Sequence, residues 1–149
     1  VGLIDLHGFD THASQGAAEG SHADRLAAVD QVLDGYREAI AERWRDSLVV
    51  TLTEFGRTVA ENGTTGTDHG WGSCILLAGG LVAQARVHAD WPGLGPQDLF
   101  ERRDLRVTTD AATVYAQAVS ALLGLPPERI ARDVLAFNPR HWREGMLRT

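Results

Sequence analysis

No lysine occurs in the chain, so all fourteen basic side chains are arginines, and twenty acidic residues outweigh them to a net charge of −6. That leaves no basic stripe of the kind that neutralises phosphates along a duplex, which argues against nucleic-acid binding. The single cysteine, Cys74, excludes an internal disulfide and a thiolate metal cluster. Its neighbours Ile75, Leu76 and Leu77 predict a buried, inert thiol. No apolar run approaches the roughly 18 residues that a membrane span needs. The G-x-S-x-G elbow, the P-loop and the dinucleotide G-x-G-x-x-G run are all missing. Residues 1–4 carry no initiator methionine and no charged leader. They read as a strand in mid-fold, and the expectation is that the chain is the C-terminal part of something longer.

What is present is an ordinary globular composition, 44% hydrophobic and 23% charged over 149 residues. A chain of that length is expected to form one domain, with a peripheral tail over residues 138–149. Residues 1–6 are a short apolar run broken at Gly8, which predicts a buried strand delivering Asp10 and His12 into a loop. Ser21 to Asp24 has capping-box spacing, and Leu26, Val29, Leu33, Tyr36, Ile40 and Trp44 continue with helical period. Residues 47–53 predict a second buried strand ending before Glu54, and strand, helix, strand is a βαβ unit with parallel strands. In open α/β sheets ligands bind beyond the carboxyl ends of strands, so the Asp10 loop and Glu54 are expected to be neighbours. Residues 56–72 predict a long polar loop and residues 74–78 a third strand. An antiparallel third strand would return Asp68 and His69 to the same edge. Thr109 or Asp110 is expected to cap a last helix with Val114, Ala118, Val119, Leu122 and Leu123 on its apolar face. Gly124, Pro126 and Pro127 then end it.

Two acid-histidine clusters, Asp10-Thr11-His12 and Asp68-His69, carry the chemistry that can be read. Asp and His are oxygen and nitrogen donors for a divalent ion, zinc or manganese above all. Two residues apart in extended backbone, Asp10 and His12 leave on one face and can share an ion. Asp68 is either a ligand or the carboxylate that orients a ligating histidine, and Glu54 offers a further oxygen. One ion or a pair fits such a set, a pair being able to clamp both oxygens of a phosphoryl or sulfuryl transfer. The plainer reading is helix caps and Asx-turns, with Glu54 and Arg57 as a structural ion pair. His7, His22, His88 and His141 read as packed or surface side chains, and Trp71 alone among four tryptophans is placed to line a pocket. Asn62-Gly63-Thr64 matches a glycosylation sequon, although an Asn-Gly turn explains it equally.

Residues 8–15 (Gly-Phe-Asp-Thr-His-Ala-Ser-Gln), 53–58 (Thr-Glu-Phe-Gly-Arg-Thr), Glu61-Asn62-Gly63, 66–70 (Gly-Thr-Asp-His-Gly), 90–94 (Asp-Trp-Pro-Gly-Leu) and 107–110 (Val-Thr-Thr-Asp) recur in that order through almost the whole chain. Together they resemble the bacterial family known as domain of unknown function fifteen hundred and one, which is placed in the alkaline phosphatase and sulfatase-like superfamily. The resemblance implies a three-layer α/β/α fold, with this chain as roughly the C-terminal half and its own N-terminal half as a partner. It also implies a periplasmic or extracellular setting, because members of the family often carry a twin-arginine export signal. Asp10 and His12 look like the superfamily's Asp-and-His loop at shorter spacing, and His69 like its later histidine. The strand ending at Glu54 looks like the place of an Asp-His-Gly. Glu54 can keep a ligand role there, whereas Phe55 cannot.

The resemblance implies a metal-dependent hydrolase of phosphate or sulfate esters, on a small molecule or a polysaccharide. Asp10, His12, Glu54, Asp68 and His69 would be the metal set and Arg57 an anion contact. The superfamily's nucleophile and first aspartate belong to the N-terminal half, so no catalytic residue is assigned and this portion alone is expected to be inactive. The rival class is a non-catalytic exported binding or assembly protein that keeps the fold. A thiol hydrolase pairing Cys74 with His69 comes third.

Overall fold

The computed structural model describes residues 1–138 and 142–148. Apolar residues at helical spacing form α1 at Ser21–Ile40, followed by a 3-10 turn at Ala41–Asp46. The expected capping box is replaced by a different start. Gly20 O accepts the first helical bond from Asp24 N at 3.1 Å, so Gly20 holds the cap position. Ser21, already helical, donates its hydroxyl to Gln15 O at 3.2 Å instead. No residue of α1 is buried; Val29, Val32, Leu33 and Ile40 are half-buried along one stripe.

Strands are short. β1 (Val49–Val50) pairs antiparallel with β4 (Leu77–Ala78), in the register Val49↔Ala78 and Val50↔Leu77. β2 (Gly56–Arg57) pairs antiparallel with β3 (His69–Gly70), with Arg57 opposite His69. The long polar loop is therefore pinched at its base into a hairpin. Residues 1–6 correct the expectation of a buried strand: they join no ladder among the described residues, and Val1, Leu3 and Ile4 are exposed. A strand exists only where a neighbour supplies hydrogen-bonding groups, and an apolar run does not specify one. The βαβ unit is accordingly not formed among the described residues. Cys74 is exposed rather than buried, because the ladder engages only Leu77 and Ala78 of its run.

α2 (Ala111–Leu123) begins as expected, with Asp110 accepting from Ala112 N at 2.9 Å, and ends at Gly124 in the left-handed conformation, φ 64°. Its buried face is Thr113, Val114, Ala116 and Ala118, whereas Leu122 and Leu123 are exposed. α3 (Pro127–Asp133) forms where Pro126 and Pro127 are expected only to end α2. Pro127 stands at the first helical position, where its missing N–H costs nothing, and Glu128 follows in the first turn.

The chain divides into two compact units, each assembled from three stretches. The first comprises residues 1–40, 55–73 and 94–106, and holds α1 and the β2–β3 hairpin. Its buried residues include Thr58, Leu99 and Asp104. The second comprises residues 41–54, 74–93 and 107–149, and holds β1, β4, α2 and α3. Its core is Ala116, Ile130 and Ala131, with Val119, Leu125, Leu135, Phe137 and Trp142 packed around them. Within the stretch expected as a peripheral tail, Met146 is buried, Leu147 bridges Val82, and Arg143 pairs with Asp90 and with the Thr109 hydroxyl. His141 lies outside the described residues.

Candidate metal centre

Three loop and strand positions in the first unit bring the two acid-histidine clusters together. A three-residue turn, closed by Thr11 N donating to Phe9 O at 3.0 Å, presents Asp10 and His12 where extended backbone was expected. His69 is carried by β3. Because Arg57 and His69 are directly paired across the hairpin, their side chains share a face, and both reach Asp10.

The result is a nearly equilateral triangle of donor atoms. Asp10 Oδ1 lies 2.9 Å from His12 Nε2 and 3.0 Å from His69 Nε2, and the two Nε2 atoms are 3.1 Å apart. With Asp10 ionised, no placement of protons gives each of the three edges its own hydrogen bond. If both Nε2 atoms carry hydrogen, donor faces donor between the rings. If either is bare, its lone pair faces the carboxylate. A cation at the convergence point resolves every edge at once, because each ligand must then present a lone pair. Among the described residues, these three form the group able to hold a metal ion.

The supporting contacts fix each ligand separately. Arg57 donates through Nη2 to Asp10 Oδ1 at 2.6 Å and to Phe9 O at 2.7 Å, and through Nη1 to Thr67 O at 2.8 Å. Asp68 Oδ1 stands 3.4 Å from His12 Nδ1, on the far side of the ring from the triangle. That is the position of a carboxylate that orients a metal-binding histidine, not of a ligand. Phe55 stacks on the His69 ring at 3.8 Å and 12°, and Arg103 Nη2 donates to His69 O at 3.0 Å. The hydrogen bond from His69, aided by Arg57 and His12 and opposed by partial burial, holds the Asp10 carboxyl below its ordinary range. Asp68 is likewise held low, first by Asn62 and then by His12.

Asn62 ties the two loops. Its Nδ2 donates to His12 O and to Asp68 Oδ1, both at 3.0 Å, while its Oδ1 accepts from the backbone of Thr64 and Gly66, also at 3.0 Å. Thr64 adds a hydroxyl bond to His12 O at 2.6 Å. Ser14 N and Gln15 N donate to Thr64 O and Thr65 O at 3.0 and 2.8 Å. Gly66 lies against this clamp so closely that a Cβ would fall 2.5 Å from Ala13 N, and closer still to the carbonyl carbon and oxygen of His12.

Of the sequence-expected set, the structure joins Asp10, His12 and His69, with Asp68 behind His12. Glu54 is an exposed residue of the second unit and is not in that group. Arg57, expected as an anion contact, is engaged with Asp10. Trp71 is exposed, and His22 is half-buried edge-on to Phe9 rather than at the surface. Asn62, Gly66 and Arg103 were missed as site residues. The Asn-Gly turn was visible, but nothing local announces a bond to a carbonyl fifty positions away.

A family model described as "Protein of unknown function (DUF1501)" matches residues 1–132, a stretch that contains every residue of the triangle and its supports. No curated protein and no solved structure matches the chain.

Proposed function

We propose that this chain, which belongs to the DUF1501 family, carries a divalent-metal centre built on Asp10, His12 and His69, in an exported hydrolase-like protein acting on phosphate or sulfate esters. The observation that supports the metal reading is the triangle, whose three donor atoms converge within 2.9 to 3.1 Å of one another. The ester reading, the three-layer α/β/α parent fold, the twin-arginine export and the zinc or manganese preference rest on the resemblance to the phosphatase and sulfatase-like superfamily. A divalent ion supplies charge stabilisation for an ester oxygen. The chain's own residues do the rest: Arg57 holds and aims Asp10, Asp68 turns His12, and Phe55 fixes the plane of His69.

A second reading has its own observation. Phe55 puts an aromatic ring against His69 at 3.8 Å where a further ligand would be expected in an active member, which favours a binding or assembly protein that retains one metal. Elemental analysis of the purified protein beside Asp10→Ala and His69→Ala tests the shared premise. Near-stoichiometric metal that falls in both variants is the expected result; equal metal content in all three rejects the centre. Metal-dependent turnover of aryl phosphates or sulfates then separates hydrolase from binding protein.

A further inference from the structure

The triangle's dimensions speak to coordination number. Two donors at about 2.1 Å from one ion lie about 3.0 Å apart when they subtend a right angle, and about 3.4 Å apart when they subtend a tetrahedral one. All three observed edges, 2.9, 3.0 and 3.1 Å, match the right angle. The side chains of Asp10, His12 and His69 are 56, 48 and 50% exposed, so the side away from the protein is open to solvent. Among the described residues no further His, Cys, Asp or Glu joins the group. Asp10 contributes through Oδ1, the same oxygen that Arg57 holds, which favours one-oxygen attachment.

Building on the metal-binding reading above, we propose that Asp10, His12 and His69 present one triangular face of an octahedron. The centre then suits a six-coordinate divalent ion such as Mn²⁺, Fe²⁺ or Co²⁺. It leaves three adjacent positions outward for water or a chelating oxygen anion. Two histidines and a carboxylate on one face with open positions opposite is a donor set associated with such ions.

The test uses the whole protein, freed of metal by a chelator and reloaded with one equivalent of Co²⁺. A six-coordinate site gives weak visible absorption and a pale pink solution. An intense blue spectrum means four ligands and overturns the proposal while leaving the metal centre intact. Failure to bind Co²⁺ at all rejects both. Water-proton relaxation of the Mn²⁺-loaded protein is the second readout: about three exchangeable coordinated waters are expected, and none or one overturns the open face.

Discussion

Replacing Gly66 by alanine should separate the clamp that positions His12 from the residues that would bind the metal. The added methyl meets backbone only, at 2.5 Å from Ala13 N and nearer the His12 carbonyl, so no side-chain rotation relieves it. Restoring ordinary contact at 3.4 Å or more requires the two loops to part by roughly 1 Å, an overpacking strain of about 1–3 kcal/mol. For a chain of this size that lowers the melting temperature by roughly 3–10 °C. A shift of about 1 Å also exceeds by several-fold the ~0.2 Å within which metal–ligand distances are held. Metal affinity should fall at least ~10-fold and up to ~100-fold, the range seen when an orienting partner is lost. The assay is titration of metal-free protein against a coloured chelator, alongside melts followed by circular dichroism. Gly63→Ala is the control: a Cβ there meets nothing within 4 Å. It should leave affinity unchanged and stability equal, or higher by up to ~1 kcal/mol. Wild-type affinity and melting in Gly66→Ala would refute the clamp. A lower melting temperature with unchanged affinity would show that the clamp supports the fold without setting the ligand.

Three further outcomes are expected. Asp68→Asn should weaken metal binding about 10- to 100-fold, since Asp68 stands against His12 Nδ1 and Asn62 and not in the triangle; unchanged affinity in the chelator titration would remove its orienting role. Thr113→Val should stabilise the second unit by about 1 kcal/mol in urea unfolding, because the Thr113 hydroxyl is fully buried and lacks a hydrogen-bond partner among the described residues; destabilisation would show that it has one. Asp10 and Asp68 are held below the ordinary carboxylate value of 3.8, so the stability that they confer is complete above that value and is lost as the pH falls through their depressed values. The stability difference between wild type and Asp10→Asn in metal-free protein should therefore vanish in acid below that value; a difference that persists unchanged in strong acid would contradict the direction of the shift.

Local chemistry was legible in the sequence, and non-local pairing was not. α1 and α2 follow from apolar spacing and from Asp110 and Gly124, signals that act within one turn. Residues 1–6 mislead because β-type composition says nothing about where a ladder partner is. Cys74 misleads for the same reason: only two residues of its apolar run are paired, and the thiol is left exposed. α3 was readable from Pro127 and Glu128, had proline been taken as a first-turn residue as well as a stop. At the site, residue type named Asp10, His12, Asp68 and His69, but which of them share a centre depends on the hairpin register and the Asn62 clamp.

That dependence is itself an argument about what the triangle is for. Three donor atoms within 3.1 Å of one another cannot each be hydrogen-bonded to the other two while Asp10 is ionised, and half-exposed side chains are free to leave such an arrangement unless something holds them. Each is held by a different neighbour: Asp10 by Arg57, His12 by Asp68 and the Asn62–Thr64 clamp, His69 by Phe55, Arg103 and the β2–β3 pairing. A cap or an Asx-turn needs none of this, because such motifs are satisfied by backbone within a few residues. Independent supports converging on one frustrated point are what a preorganised ligand set requires, since the cost of gathering the donors is met by folding and not by the incoming ion.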